Sequence, residues 1–305
     1  RQSGEEATFG VQLPGSGQVL SLPQSKLMLE GHAPNRVGLR DVNRWLPKLS
    51  EEFTFGQQED AHEFLRSVLR LVEDEELKAH GAALKQGRGA APQLLEANAD
   101  LTATPNRMFG GILVSQCTCT NRDCMASTFS FEPFMDLALD INEATDSIED
   151  CLRFFTAPER LDKKNMKRCE SCSETVRARK QLTVYAAPPT LVLQLKRFRH
   201  EGRGKVTRPV AFSPTLNLRP FLCAGTQEAG KPLPVIYELR AVVVHVDKAG
   251  FSHFGHYTTY VRRSAEGGRS RWFLLDDSQV FEVSEDEVLG QQAYLLFYAH
   301  TGSSL

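Results

Sequence analysis

The sequence contains no apolar run long enough to cross a lipid bilayer, and its first residues lack the charged and apolar regions of a secretory signal. It also has almost no net charge, because 36 Lys and Arg residues balance 38 Asp and Glu residues. This balance gives no indication of nucleic acid or of an anionic membrane surface as a partner. We therefore expect a globular chain that binds neither nucleic acid nor membrane.

Cysteine is absent from the first 116 residues, and the chain starts with Arg1 rather than Met. The seven cysteines then fall mainly in two close clusters. An odd count, paired spacing and no export signal favour a reducing compartment, and hence metal binding by thiolates in the cytoplasm or nucleus. The alternative is a pair of disulfides in a secreted domain. The non-methionine start favours a fragment of a longer protein.

The chain of 305 residues is long enough for one large domain or two smaller ones. Residues 1–35 are rich in Gly, Pro, Ser and Gln and are expected to be poorly ordered. Apolar residues at helical spacing predict a short helix over residues 41–49 and a longer one over 59–77. From Phe109 onwards alternating apolar residues predict mostly strands, with one short helix capped by Asp146 or Ser147. The pattern predicts an α+β fold.

The cysteine clusters predict a structural zinc site. Cys169 and Cys172 are separated by two residues, a spacing that lets both sulfurs reach one tetrahedral ion. Three cysteines compete for the other two positions. We favour Cys119 and Cys124, with Cys117 as the alternative for one position. Four thiolates would leave no open position for catalysis. The alternative interpretation is that these cysteines are small buried hydrophobes.

A histidine and an acid near the end of the chain form a candidate base and orienting group. His256 follows a glycine at the expected start of a strand, and Asp276 ends the next apolar strand. A carboxylate placed there could accept the Nδ1–H of His256 and fix its tautomer. Asp277 would face the other way if the strand continued. Alternatively, Asp276-Asp277-Ser278 marks a turn, and His256, like the nearby His245 and His253, is a structural histidine.

Several stretches resemble, in order, the motifs of the ubiquitin-specific proteases, which are papain-like cysteine deubiquitinases. The paired cysteines lie between them, and the similarity covers about residues 40–300. The motif stretches are Gly56-Gln57-Gln58-Glu59-Asp60-Ala61-His62-Glu63-Phe64-Leu65, Phe109-Gly110-Gly111, Phe134-Met135-Asp136-Leu137, Leu193-Gln194-Leu195-Lys196-Arg197-Phe198, Gly255-His256-Tyr257 and Asp276-Asp277-Ser278.

The resemblance implies a single right-hand domain over residues 1–305. Residues 1–100 would form the remaining thumb, 109–198 the fingers and part of the palm with the zinc knuckle, and 199–305 the palm. His256 would be the base, Asp276 its orienting group, and Asp277 an assisting residue. Asp60 and Glu63 would meet the basic tail of ubiquitin, since a carboxylate in a narrow cleft pairs well with arginine. For Asp60 a helix N-terminal role is an alternative, and both can hold.

One family element is missing from the sequence. The nucleophile of the family lies in a Gly-Asn-Thr-Cys-type box before the helix that starts near Asp60, and no cysteine precedes Cys117. The expectation is therefore a truncated catalytic domain with an incomplete thumb. Its family activity is thiol-dependent hydrolysis after the C-terminal glycine of ubiquitin on ubiquitinated proteins, with no catalytic cofactor. The chain as given should be inactive. The alternative is a non-catalytic ubiquitin-binding scaffold.

Overall fold

The computed structural model describes residues 8–12, 19–23, 26–29, 36–38, 49–50, 53, 58–85, 103–198, 204–223, 235–248, 251–264 and 270–301. The predicted helix over 41–49 lies almost entirely outside them. The four helices within them are α1 Ala61–Lys85, α2 Thr104–Phe109, α3 Ile148–Phe155 and α4 Glu285–Leu289. None of the described helices combines the length and the apolar character needed to cross a membrane.

The described strands, in chain order, are β1 Thr8–Gln12, β2 Val19–Pro23, β3 Lys26–Leu29, β4 Arg36–Gly38, β5 Gly111–Thr118, β6 Ser127–Phe134, β7 Leu137–Leu139, β8 Glu159–Arg160, β9 Lys167–Arg168, β10 Thr175–Val176, β11 Arg179–Ala186, β12 Thr190–Leu195, β13 Thr215–Asn217, β14 Ile236–Lys248, β15 Phe251–Ser264, β16 Ser270–Asp276, β17 Gln279–Val283 and β18 Ala293–His300. Two short 3-10 helices, Lys163–Asn165 and Arg219–Phe221, complete the set.

The chain divides into two compact units. The first contains residues 1–108, 241–288 and 302–305, and the second contains residues 109–240 and 289–301. The region predicted as palm, 199–305, is therefore shared between the two units. Strand β14 contributes residues 236–240 to the second unit and 241–248 to the first.

The first unit contains an antiparallel array in which β15 lies between β14 and β16, and β17 pairs with β16. Helix α1 confirms the helix predicted over 59–77 and extends it to Lys85. The predicted apolar stripe of this helix is only partly covered, since Phe64 is 36% and Val72 39% exposed. Sequence periodicity identified the helix but not how deeply its stripe is buried.

Four short strands lie where poor order was predicted. Strands β1 to β4 form one antiparallel sheet within residues 8–38.

Besides the two-stranded ribbon β9-β10, the described part of the second unit contains strands of two larger sheets. One has the strand order β6-β5-β11-β8. In the other, β12 pairs with β18 on one side and with β7 on the other. Strand β12 is buried on both faces, as its nearly continuous apolar sequence requires. Helix α3 packs near β7 and starts at Ser147, whose hydroxyl accepts the Asp150 N–H in a reciprocal capping box.

The prediction of a strand over residues 206–218 is largely wrong, because only β13 forms there. Residues 206–208 instead wrap around the guanidinium of Arg197, which is 1% exposed. Its Nε donates to Ala293 O at 2.6 Å, and its Nη1 donates to Val206 O and Arg208 O at 3.0 Å. Burial lowers the pKa of this guanidinium, and among the described residues its Nη2 has no hydrogen-bond partner.

Replacing Arg197 with methionine should destabilise the second unit by about 3 kcal/mol, because three buried carbonyl groups lose their donor. Loss of the unpaired buried charge recovers part of that cost. The free energy of unfolding from urea denaturation measures the change, with exposed Arg271→Met as the control. A stability equal to that of the wild type would show that water replaces the guanidinium at no cost.

Candidate active site and cysteine cluster

His256 and Asp276 meet on neighbouring strands of the first unit. His256 lies inside β15, opposite Val246 of β14, rather than at the start of a strand as predicted. Asp276 is the last residue of β16, as predicted. Its Oδ1 lies 2.5 Å from His256 Nε2. Both side chains are 41% exposed, so the pair is open to a reacting group.

The carboxylate of Asp276 contacts Nε2 of the imidazole, not Nδ1 as the sequence analysis predicted. In the neutral ring the proton then lies on Nε2, facing the carboxylate, and Nδ1 is the nitrogen that can accept a proton. The chemistry of an oriented base is the same, with the two nitrogens exchanged.

Asp277 belongs to the tight turn between β16 and β17. Asp276 pairs with Gln279, so Asp277 and Ser278 are the two connecting residues, and Asp277 has a φ of 49°. The strand does not continue through Asp277, so the expected alternation of faces does not apply. The carboxylate oxygen of Asp277, a ring nitrogen of His256 and a carboxylate oxygen of Asp276 all lie within 4.8 Å of one another. The turn interpretation and a place beside the histidine are therefore compatible.

Asp60 caps helix α1 and reaches β15. Its Oδ1 accepts hydrogen bonds from the backbone N–H groups of His62, at 2.9 Å, and Glu63, at 3.1 Å. Its Oδ2 accepts the hydroxyl of Tyr257 at 3.3 Å. Burial and the Asp60 charge raise the pKa of Tyr257, so this hydroxyl remains a donor. Glu63 is exposed in the first turn of the helix.

Sequence reasoning assigned no role to Gln58, although it lies in the motif before α1. Its side-chain amide donates to Gly255 O at 2.8 Å and accepts from Gly255 N–H at 3.2 Å. The amide thus holds the backbone directly before His256 from 197 residues away. No local pattern signals such a contact, because an amide side chain is equally common on a solvated surface.

Four cysteines of the second unit come together, and they are the four favoured from the sequence: Cys119, Cys124, Cys169 and Cys172. Their sulfur atoms all lie within 4.8 Å of one another. Cys119 Sγ is 3.8 Å from Cys172 Sγ, and Cys124 Sγ is 3.7 Å from Cys169 Sγ. These distances exclude disulfide bonds. Cys117 lies apart on β5, between Lys180 of β11 and Thr128 of β6.

The cluster contains thiols of very different acidity. Backbone N–H groups of Cys172 and Ser171 lower the pKa of Cys169 to about 6. The Asn121 backbone N–H favours the thiolate of Cys119, but desolvation and the three other sulfurs outweigh it and raise the pKa of Cys119 to about 12. Crowded sulfurs resist losing all of their protons together unless a cation arrives to compensate the charge.

A model of the ubiquitin carboxyl-terminal hydrolase family matches residues 22–298. The chain is 40% identical over 243 residues to ubiquitin C-terminal hydrolase 15 of Oryza sativa subsp. japonica, covering 80% of this chain and 23% of that protein. It is 35% identical over 254 residues to ubiquitin carboxyl-terminal hydrolase 19 of Arabidopsis thaliana, covering 83% and 35% respectively. The chain thus spans about a quarter to a third of the length of these curated relatives.

A solved structure of similar fold supports the same family. The SAGA Ubp8/Sgf11/Sus1/Sgf73 DUB module bound to ubiquitin aldehyde contains a chain with a TM-score of 0.68 and 30% identity, covering 89% of this chain and 55% of that one. This match confirms the predicted α+β ubiquitin-specific protease fold, while the incomplete thumb stays a prediction. Family model, relatives and fold agree: the chain belongs to the ubiquitin carboxyl-terminal hydrolase family and carries a ubiquitin-specific protease domain.

Proposed function

We propose that this chain carries the base and the ubiquitin-binding residues of a cysteine-type deubiquitinase, and that its nucleophile is not among these 305 residues. The observation that carries the proposal is the contact between His256 Nε2 and Asp276 Oδ1 at 2.5 Å. An imidazole held by a carboxylate on one nitrogen is the arrangement that activates a thiol on the other.

In the proposed mechanism His256 transfers protons and the two aspartates stabilise its charged form. Nδ1 of His256 takes the proton of a thiol, and Asp276 stabilises the imidazolium that forms. The thiolate attacks the carbonyl carbon of the C-terminal glycine of ubiquitin, and His256 gives the proton to the leaving amine as the C–N bond breaks. Water then hydrolyses the thioester, with His256 again as base. Asp277 adds negative charge beside the imidazolium.

Asp60 and Glu63 are proposed to bind the basic tail of ubiquitin. Asp60 Oδ1 accepts the backbone N–H groups of the helix cap, and Oδ2 accepts the hydroxyl of Tyr257. A carboxylate fixed by its own helix N-terminus is preorganised for an arginine, since its rotamer needs no further ordering. Glu63 is exposed in the first turn of the helix and can add a second charge.

The test is a titration of ubiquitin into the purified chain, wild type against Asp60→Asn. Asparagine caps a helix as well as aspartate does, so stability is retained while the charge is lost. We expect saturable binding that weakens about tenfold in the variant. Asp140→Asn, which removes an exposed carboxylate paired with Lys196, is the matched control. A folded chain that shows no binding at high micromolar ubiquitin would refute the proposal.

Catalysis is tested separately with a ubiquitin C-terminal amide substrate. We expect no turnover from this chain, because the sequence has no cysteine before Cys117. That same absence favours the second candidate, a ubiquitin-binding scaffold without catalysis. The coding sequence upstream of Arg1 separates the two, since an upstream Thr-Cys box supports the enzyme. Turnover by this chain would show that another thiol acts as nucleophile.

We further propose that the four-cysteine cluster binds a structural Zn²⁺. A tetrahedral ion with Zn–S bonds of about 2.3 Å requires sulfurs about 3.8 Å apart, and the observed pairs are at 3.7 and 3.8 Å. All four donors are thiols, and bound zinc would cross-link them without an open position for substrate. Because such a site needs reduced thiols, we propose that the protein lies in a reducing compartment inside the cell.

A further inference from the structure

A second histidine, His245, lies on the strand beside the proposed base. The β14–β15 ladder pairs His245 with Tyr257, Val246 with His256, and Asp247 with Gly255. Since side chains alternate along a strand, His245 shares a face with Gly255 and Tyr257, whereas His256 projects from the other face. His245 can therefore act on the base only through the backbone that carries it.

Gly255 shows how close that contact is. A Cβ atom at this position would lie 2.2 Å from Cε1 and 2.3 Å from Nε2 of His245, and 2.6 Å from the carbonyl oxygen of Val246. The imidazole of His245 thus occupies the space in which a side chain at position 255 would lie. The residue immediately before His256 is a glycine because the ring packs directly on its backbone.

The ring of His245 is itself held in place. It is only 7% exposed, and its Nδ1 lies 3.2 Å from Asp247 Oδ1. It also packs edge-on against Tyr257, with ring centroids 4.8 Å apart and an interplanar angle of 64°. A ring held by a carboxylate and by an aromatic neighbour is a rigid support rather than a mobile surface group.

Both neighbours of His256 are therefore fixed. Gly255 is held by the His245 ring on one side and by the Gln58 amide at its N–H and C=O. Tyr257 is held by the His245 ring and by Asp60 Oδ2. The His245 ring thus contacts both neighbours of the base. A base must be held in a narrow range of orientations to act, and the backbone on each side of it sets that range.

We propose that His245 is a positioning residue for the base: its ring, packed on Gly255 and Tyr257, fixes the backbone so that His256 Nε2 faces Asp276. This inference rests on the proposed function of His256 as the base. Gln58 and Asp247 support it, Gln58 by clamping the Gly255 peptide and Asp247 by orienting the His245 ring.

The test is a tautomer measurement on the full chain labelled with ¹⁵N-histidine. Long-range ¹H–¹⁵N spectra at about pH 9, where imidazole is neutral, report which nitrogen of His256 carries the proton. We expect wild type to hold the proton on Nε2. In His245→Ala the ratio of the Nε2–H to the Nδ1–H form should fall about tenfold, the loss expected when a hydrogen bond to a charged group is released.

Two further variants make the result specific. His245→Phe keeps an aromatic ring on Gly255 and Tyr257 and should restore most of the wild-type ratio. His300→Ala removes a similar histidine–tyrosine contact, with Tyr237, from the second unit and should leave the ratio unchanged. A folded His245→Ala protein with the wild-type ratio, or His245→Phe with the full loss, would overturn the proposal.

If His245→Ala does not fold, Asp247→Asn is used in its place, because that substitution weakens the hold on the His245 ring without removing the ring. A reduced ratio in that variant supports the positioning role, and an unchanged ratio refutes it. The measurement needs no ubiquitin. A chain that fails to bind ubiquitin but whose His256 tautomer depends on His245 would refute the proposed function and leave the positioning role intact.

Discussion

Replacing Gly255 with alanine should lower the free energy of unfolding of the first unit by about 3 kcal/mol, at the upper end of the usual cost of overpacking. The added methyl would overlap the buried His245 ring and the Val246 carbonyl oxygen. The ring cannot move away freely, because Asp247 and Tyr257 hold it. Urea denaturation followed by tryptophan fluorescence measures the change, and Thr259→Ala on the same strand is the control.

The double variant Gly255→Ala with His245→Ala separates the two sources of strain. If the His245 ring is the main obstacle to the added methyl, removing the ring should recover part of the lost stability. The changes in free energy of unfolding for the two substitutions should then be non-additive by about 1 kcal/mol or more. The Val246 carbonyl, at 2.6 Å from the added atom, would account for the remainder. Strict additivity would show that the histidine ring does not resist the methyl.

Removing one proposed zinc ligand should cause the second large loss of stability. Cys172→Ser is expected to abolish binding of one zinc ion per chain. With zinc at about a thousand times its dissociation constant, the wild type would be stabilised by about 4 kcal/mol, and the variant would lose this contribution. Metal analysis after dialysis and thermal denaturation with and without chelator measure the two effects.

The structure shows why destabilisation after zinc loss should be concentrated near residues 159–180. Strands β9 and β10 share only two residue pairs. Lys167, Arg168 and Thr175 are exposed, so this small ribbon has almost no core of its own. An isolated two-stranded ribbon is marginally stable. Without metal the segment should become the first site of proteolysis.

Cys117→Ser is the matched control for the zinc prediction. Cys117 lies two residues before Cys119 but belongs to the sheet rather than to the cluster. Zinc content and melting temperature should be unchanged in this variant. Loss of zinc in Cys117→Ser, with retention in Cys172→Ser, would contradict the ligand assignment. Wild-type protein without zinc, with all thiols open to titration, would contradict the site itself.

Local chemistry explains the predictions that succeeded. The periodicity of α1, the cap of α3 at Ser147 and the strand end at Asp276 depend on residues a few positions apart. The spacing of Cys169 and Cys172 likewise defines a knuckle on its own. Predictions failed where contacts between distant segments decide. Arg197, for example, donates to the carbonyl groups of Val206 and Arg208, where a strand was predicted.

By itself the sequence determined the family resemblance, the α+β character, the four favoured cysteines and the pairing of a histidine with an acid. Tertiary structure alone decided that Asp276 meets Nε2 of His256, that Gln58 clamps Gly255 across 197 residues, and that His245 fills the space beside that glycine. The physical reason is that each of these contacts joins separate segments of the chain, and for His245 the strand register sets which residues it meets. A shift of one residue reverses every side chain, and only the assembled sheet sets which residues lie opposite each other.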